Sequence, residues 1–144
     1  MARSPMSEDP IVRTEQDGPH AMAVFAREVL SVASAREWLG RFLSTQAVPS
    51  TAIADAALVL SELVTNALRH GLGQIVTFGS VDHDEIRLSV TDSGDELPDL
   101  QPVERDRIGG LGLHVVGQVA DEWGVAPFPG GKTVWATLHV RPAG

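Results

Sequence analysis

No cysteine occurs in this 144-residue chain, which excludes disulfides, zinc–thiolate centres and thiol catalysis. Aromatics are sparse, at 5% of residues, and Trp38, Trp123 and Trp135 read as core or rim packing rather than as a platform for stacking bases. Basic residues are in the minority: 11 Lys and Arg against 19 Asp and Glu give a formal net charge of −8. That balance argues against a general nucleic-acid binder, whose affinity would rest on Lys and Arg contacts to phosphate. No uninterrupted apolar run approaches the roughly eighteen residues that span a bilayer, and the N-terminus lacks a hydrophobic signal core, so no membrane segment and a cytoplasmic location are expected. His20, His83, His114 and His139 show no ligand spacing, so a histidine metal site is not expected either.

What is present suits a single domain. Hydrophobic residues make up 43% and charged residues 21% of the chain, ordinary for a globular core of this length. Residues 1–19 hold few periodic apolar positions and read as a flexible leader, leaving 20–144 as the folded domain. Ala21 to Phe25 is a short apolar run suited to an edge strand. From Val29 to Leu43, Leu30, Ala33, Trp38, Leu39 and Phe42 suit one face of a helix, with Arg36, Glu37 and Arg41 outward. A second helix follows Val48-Pro49, with Ser50 or Thr51 as its cap, and stops at Gly71 and Gly73. Period-two strands are expected over Ile75–Val81 and Ile86–Asp92. Ser93 to Gly110 is polar and irregular, and a loop that long in a small domain is generally functional. A short helix over Leu111–Ala120 and a last strand through Val134, Ala136, Leu138 and Val140 complete an α+β two-layer sandwich: one mixed, mostly antiparallel sheet on about three helices.

The chemistry concentrates at element ends. Glu62, Asn66 and His70 lie four residues apart along the second helix, so they share a stripe at the margin of its apolar face. A carboxylate one turn from a carboxamide suits a hard cation on the amide oxygen, with the carboxylate orienting or deprotonating a nucleophile; a solvated helix edge would look the same. Asp92-Ser93-Gly94 closes a strand, where the aspartate can accept a hydrogen bond from an exocyclic amine or cap its own turn. Gly109-Gly110-Leu111-Gly112-Leu113 leads towards a helix whose N-terminus could face an anion, but the third glycine of a dinucleotide fingerprint is absent. Gly130-Gly131-Lys132-Thr133 fails as a P-loop, because Ala126 replaces its first glycine and a strand follows. It leaves an ammonium and a hydroxyl group able to touch a phosphate.

In order and spacing, these segments resemble the GHKL ATP-binding fold of histidine-kinase catalytic domains, Hsp90, gyrase B and MutL, and within it the anti-sigma-factor serine/threonine kinases. The resemblance covers about Ala21 to Val140. It implies ATP and Mg²⁺ as cofactors. Glu62 to Gly71 resembles the family's N box, implying Asn66 as the Mg²⁺ ligand, Glu62 as general base and His70 within the nucleotide site. Asp92-Ser93-Gly94 resembles the adenine-binding G1 box. Gly110-Leu111-Gly112-Leu113 resembles the G2 box of the ATP lid, and Gly131-Lys132-Thr133 the last conserved element, with Thr133 near the adenine end. Where the G1 box ordinarily continues to a second glycine this chain has Glu96, beside Asp95. Two carboxylates there repel a triphosphate unless Mg²⁺ or Arg105 and Arg107 offset them.

The resemblance implies a kinase that phosphorylates a STAS-like anti-anti-sigma protein and sequesters a sigma factor, and it is compatible with a homodimer. The alternative is a regulatory module that holds nucleotide weakly or not at all and acts by contact. The Glu62/Asn66 pair favours the enzyme, and Glu96 favours the module.

Overall fold

Residues 9–94 and 108–140 are described in this computed structural model, the side chains of 108–112 excepted. The elements are β1 (Ile11–Asp17), β2 (His20–Phe25), α1 (Leu30–Thr45), α2 (Ser50–His70), β3 (Ile75–Asp82), β4 (Glu85–Asp92), α3 (Ile108–Val119), β5 (Glu122–Phe128) and β6 (Gly131–His139). The strands form one sheet in the order β1-β2-β3-β4-β6-β5. Every neighbouring pair is antiparallel, so the expected two-layer sandwich is present with no mixed pairing. Hairpins join most neighbours. The crossover from β4 through α3 reaches the edge strand β5, which turns back so that β6 again runs against β4.

Strand alternation decides which side chains meet the helices. On β4, Ile86, Leu88, Val90 and Asp92 are buried, and on β6 so are Lys132, Val134, Ala136 and Leu138. The apolar ones belong to one core with the fully buried Leu60, Leu63 and Val64 of α2 and Leu39 and Leu43 of α1. The α2 helix is long and apolar enough to cross a membrane by length and composition, with a mean hydropathy of 1.4 and 44% of that window buried. No single run revealed this, because polar residues such as Glu62 interrupt it. Its packing is that of a core helix.

Several local expectations need correction. Ile11–Asp17, read as leader, is the edge strand β1, and β2 lies inside it. The apolar signal was absent because β1 is exposed along nearly its whole length. The buried face of α1 is Ser31, Ala35, Trp38, Leu39, Phe42 and Leu43. Leu30 is 63% exposed, since the helix begins there, beyond the cover of the sheet. Neither Ser50 nor Thr51 caps α2; Pro49 holds the N-cap position without a side-chain bond. Glu122–Phe128 forms a strand despite Gly124 and Pro127, which an edge position tolerates. The Trp135 ring lies over Gly124, where a Cβ would come within 2.8 Å of it.

Candidate functional site

The C-terminal half of α2 presents the expected stripe, set deeper than a helix margin. Asn66 is buried at 6% exposure, while Glu62 and His70 are half-buried. The spacing put Asn66 beside the apolar face; in the folded domain it is buried. Its amide nitrogen has no hydrogen-bond partner among the described residues. An orphaned buried polar group carries a penalty of about 1–3 kcal/mol and marks a place where a ligand or water completes the structure. A carboxamide can turn either its oxygen or its NH₂ group to such a ligand. Oxygen donors of this kind fit Mg²⁺, which takes one or two protein ligands and fills the rest of its octahedron with phosphate oxygens and water.

Just past the helix end, the chain passes the end of β4 at a distance only glycine permits. A Cβ at Gly71 would stand 2.6 Å from both Asp92 carboxylate oxygens, and one at Gly94 would meet the Gly71 backbone at 2.8 Å. The Asp92 carboxylate accepts hydrogen bonds from the Gly94 N–H at 2.7 Å and the Lys132 ammonium at 3.0 Å, both at Oδ1. Oδ2 lies 3.0 Å from the same ammonium. The Lys132 and Asp92 side chains are 0% and 1% exposed. Removing one member of a buried pair of this kind costs about 3–5 kcal/mol, since the other charge is left uncompensated.

The two charges also stand at the negative end of α2, which favours cations. Lys132 Nζ reaches the His70 carbonyl at 3.4 Å. The Arg27 guanidinium donates from Nη2 to the Ala67 and Leu68 carbonyls at 2.9 and 2.6 Å. Together they donate to carbonyls of the last helical turn, where Ala67 also accepts the Gly71 N–H at 2.8 Å, and fix the segment carrying Asn66 and His70.

The structure thus brings the α2 terminus, Asp92, Gly94 and Lys132 together. Asp92 makes the i to i+2 turn bond that the blander reading offered, without losing its place at the site. Lys132 corrects an expectation: its ammonium is turned inward onto Asp92, with no open surface for a phosphate. Thr133 occupies the next rung, opposite Thr91, and their hydroxyls share a hydrogen bond of 2.7 Å. Alternation places both on the sheet face away from Asp92, so Lys132, not Thr133, is the residue of that segment on the site's side. Leu113 is a core residue at 5% exposure. Gly109, Gly110, Leu111 and Gly112 fall inside α3 rather than ahead of it, and Arg105 and Arg107 lie outside the described residues.

Two features escaped the sequence reading. Arg27 could not be found, because its acceptors are backbone carbonyls forty and forty-one positions away. The Asp92–Lys132 pair could have been. Counting back by two from Val134 and forward by two from Val90 puts opposite charges on the buried face of adjacent strands.

A model of the histidine kinase-like ATPase domain matches residues 25–138. The serine-protein kinase RsbW of Staphylococcus aureus is 31% identical over 107 residues, covering 62% of this chain and 67% of that protein. The solved structure of the RsbU and RsbW domains of Rv1364c from Mycobacterium tuberculosis matches with a TM-score of 0.68 at 24% identity over 87% of this chain, a likeness of fold. This chain spans 34% of that longer one. The matched segment contains α2, β4 and the start of β6, and with them the whole cluster around Asp92. The chain belongs to the histidine kinase-like ATPase domain family.

Proposed function

We propose that this protein binds Mg·ATP between the C-terminal half of α2 and the end of β4, and transfers the γ-phosphoryl group to a serine or threonine of a partner protein. The observation that carries this reading is the buried Asn66, whose amide nitrogen has no partner among the described residues, on the helix whose end abuts Asp92. Asn66 is assigned to a metal–phosphate unit and the Asp92 carboxylate to a base. The similarity to a protein named a serine-protein kinase supports the reaction class.

In this reading Asp92 accepts a hydrogen bond from the exocyclic amine of adenine, and Asn66 supplies a side-chain oxygen to Mg²⁺. When bound there, Mg²⁺ would supply charge screening for the phosphates and electrostatic stabilisation of phosphoryl transfer. Glu62 takes the proton of the attacking hydroxyl as its oxygen bonds to phosphorus and ADP departs. Gly110 to Gly112, Arg105 and Arg107 are assigned to the phosphates by family resemblance. By family resemblance the substrate is a STAS-like anti-anti-sigma protein and the sequestered partner a sigma factor.

The test is single-turnover transfer from labelled ATP to a cognate STAS-like protein. Glu62→Gln keeps size and helix propensity, so ATP binding should persist while transfer falls about 10²–10⁴-fold, the usual worth of a positioned base. Transfer at the parental rate would remove Glu62 from the mechanism. A parent that transfers nothing yet binds its partner equally with and without nucleotide favours the second reading, a contact-only regulatory module, to which Glu96 points.

A further inference from the structure

We infer that Lys132 is a positioning residue for base recognition, which leaves Asp92 a single unfilled acceptor position and offers the ligand no proton of its own. The inference rests on the assignment of Asp92 to the base. Lys132 stands directly opposite Asp92 in the β4–β6 register, and its side chain is entirely buried. An ammonium has three protons. Three acceptors surround this one: Asp92 Oδ1 at 3.0 Å, Asp92 Oδ2 at 3.0 Å and the His70 carbonyl at 3.4 Å. Each is internal, so no donor remains to turn outward.

The same count applies to the carboxylate. Oδ1 accepts from both the Gly94 N–H and Lys132, which uses its two lone pairs. Among the described residues Oδ2 receives Lys132 alone, and one lone pair is left. A carboxylate ordinarily offers about four acceptor positions over a wide arc. Held by Lys132 and Gly94, this one offers a single direction. It suits the amine of a 6-aminopurine and opposes the carbonyl of a 6-oxopurine, for which Lys132 has no proton to give. A site with a fixed polar valence rejects the wrong group strongly, because the mismatch leaves buried groups unpaired.

Calorimetric titration of the whole chain with the Mg²⁺ complexes of three nucleotides tests this. They are ATP, purine riboside triphosphate with no group at position 6, and inosine triphosphate with a 6-oxo group. ATP should bind about tenfold or more tighter than the unsubstituted purine, and inosine triphosphate more weakly than it. Inosine triphosphate binding as well as or better than the unsubstituted purine would mean that a donor reaches the ligand, and would overturn the role of Lys132. Equal binding of ATP and the unsubstituted purine, or no binding at all, would instead overturn the assignment of Asp92, and this inference with it.

In Lys132→Met the carboxylate loses its main tether, and the ATP preference over the unsubstituted purine should collapse to within about threefold of unity. Circular dichroism reports whether that variant folds. A folded Lys132→Met that keeps the parental preference would make the lysine structural only. Should the variant not fold, the ranking of the three nucleotides by the parent still decides.

Discussion

At the scale of single residues, the site combines one polar group with too few partners and one with nearly all it can hold. Asn66 is the first. Asn66→Ala removes an orphaned amide and installs a better helix former, gains that offset the small cavity left behind. Its stability to urea should stay within about 1 kcal/mol of the parent, while Mg²⁺-dependent ATP binding disappears from calorimetry. Unchanged affinity for Mg·ATP would remove Asn66 from the metal site. Gly71 supports the second group. Its backbone is extended, at φ −108° and ψ −175°, so alanine is conformationally acceptable there, but its Cβ would fall on the Asp92 carboxyl group. Asp92 is held by Lys132 and Gly94 and cannot yield. Gly71→Ala should therefore destabilise by about 1–3 kcal/mol or more, measured by chemical denaturation. A loss below about 0.5 kcal/mol would mean that the contact relaxes freely.

At the scale of elements, the end of β6 far from Asp92 is fastened by histidine. The His139 N–H and ring Nδ1 lie 2.6 and 3.0 Å from Asp121 Oδ2, just before β5. His139 also sits opposite Glu85 in the β4–β6 register, with Nε2 3.8 Å from that carboxylate. The hydrogen bond donated by the imidazole to Asp121, with the charges of Asp121, Glu85 and Asp84, raises the imidazole pKa above its ordinary 6.5. The folded state therefore holds the proton more tightly than the unfolded chain. The stabilisation is fully present below about pH 6.5 and fades as pH rises through the higher folded value. Melting temperature followed across this range should fall on the alkaline side, and His139→Asn should flatten that step. An equal step in the variant would assign it to another group.

At the scale of the molecule, α2 is the element through which sheet and site communicate. It packs against α1, α3 and β4, and its last turn is tied to the β2–α1 link by Arg27 and to β6 by Lys132. A ligand seated against this helix should stabilise the whole domain. Binding to the native state alone adds about 2.7 kcal/mol at a free concentration of 100 times Kd. Mg·ATP should accordingly raise the melting temperature by several degrees, and the same addition to Asn66→Ala should raise it little. A melting temperature indifferent to Mg·ATP in the parent would count against nucleotide binding as a whole.

What the sequence by itself determined is whatever depends on local periodicity. The 3.6-residue repeat from Ile53 to Leu68 marked α2 and put Glu62, Asn66 and His70 on one stripe. The two-residue repeat of Ile86, Leu88 and Val90 marked β4 and left Asp92 at its end. These patterns reflect burial of one face, and burial is written into the order of apolar residues. The tertiary structure alone decided what depends on neighbours distant in the chain. The exposed edge strand β1 carries no apolar signature, since pairing with β2 through backbone hydrogen bonds defines it. The burial of Asn66 follows from the folded surroundings of α2 and not from its helical spacing. The inward turn of Lys132 was implicit in the alternation of β6, but its meaning came from Asp92, forty residues away, because a lysine is buried stably only where a counter-charge is waiting.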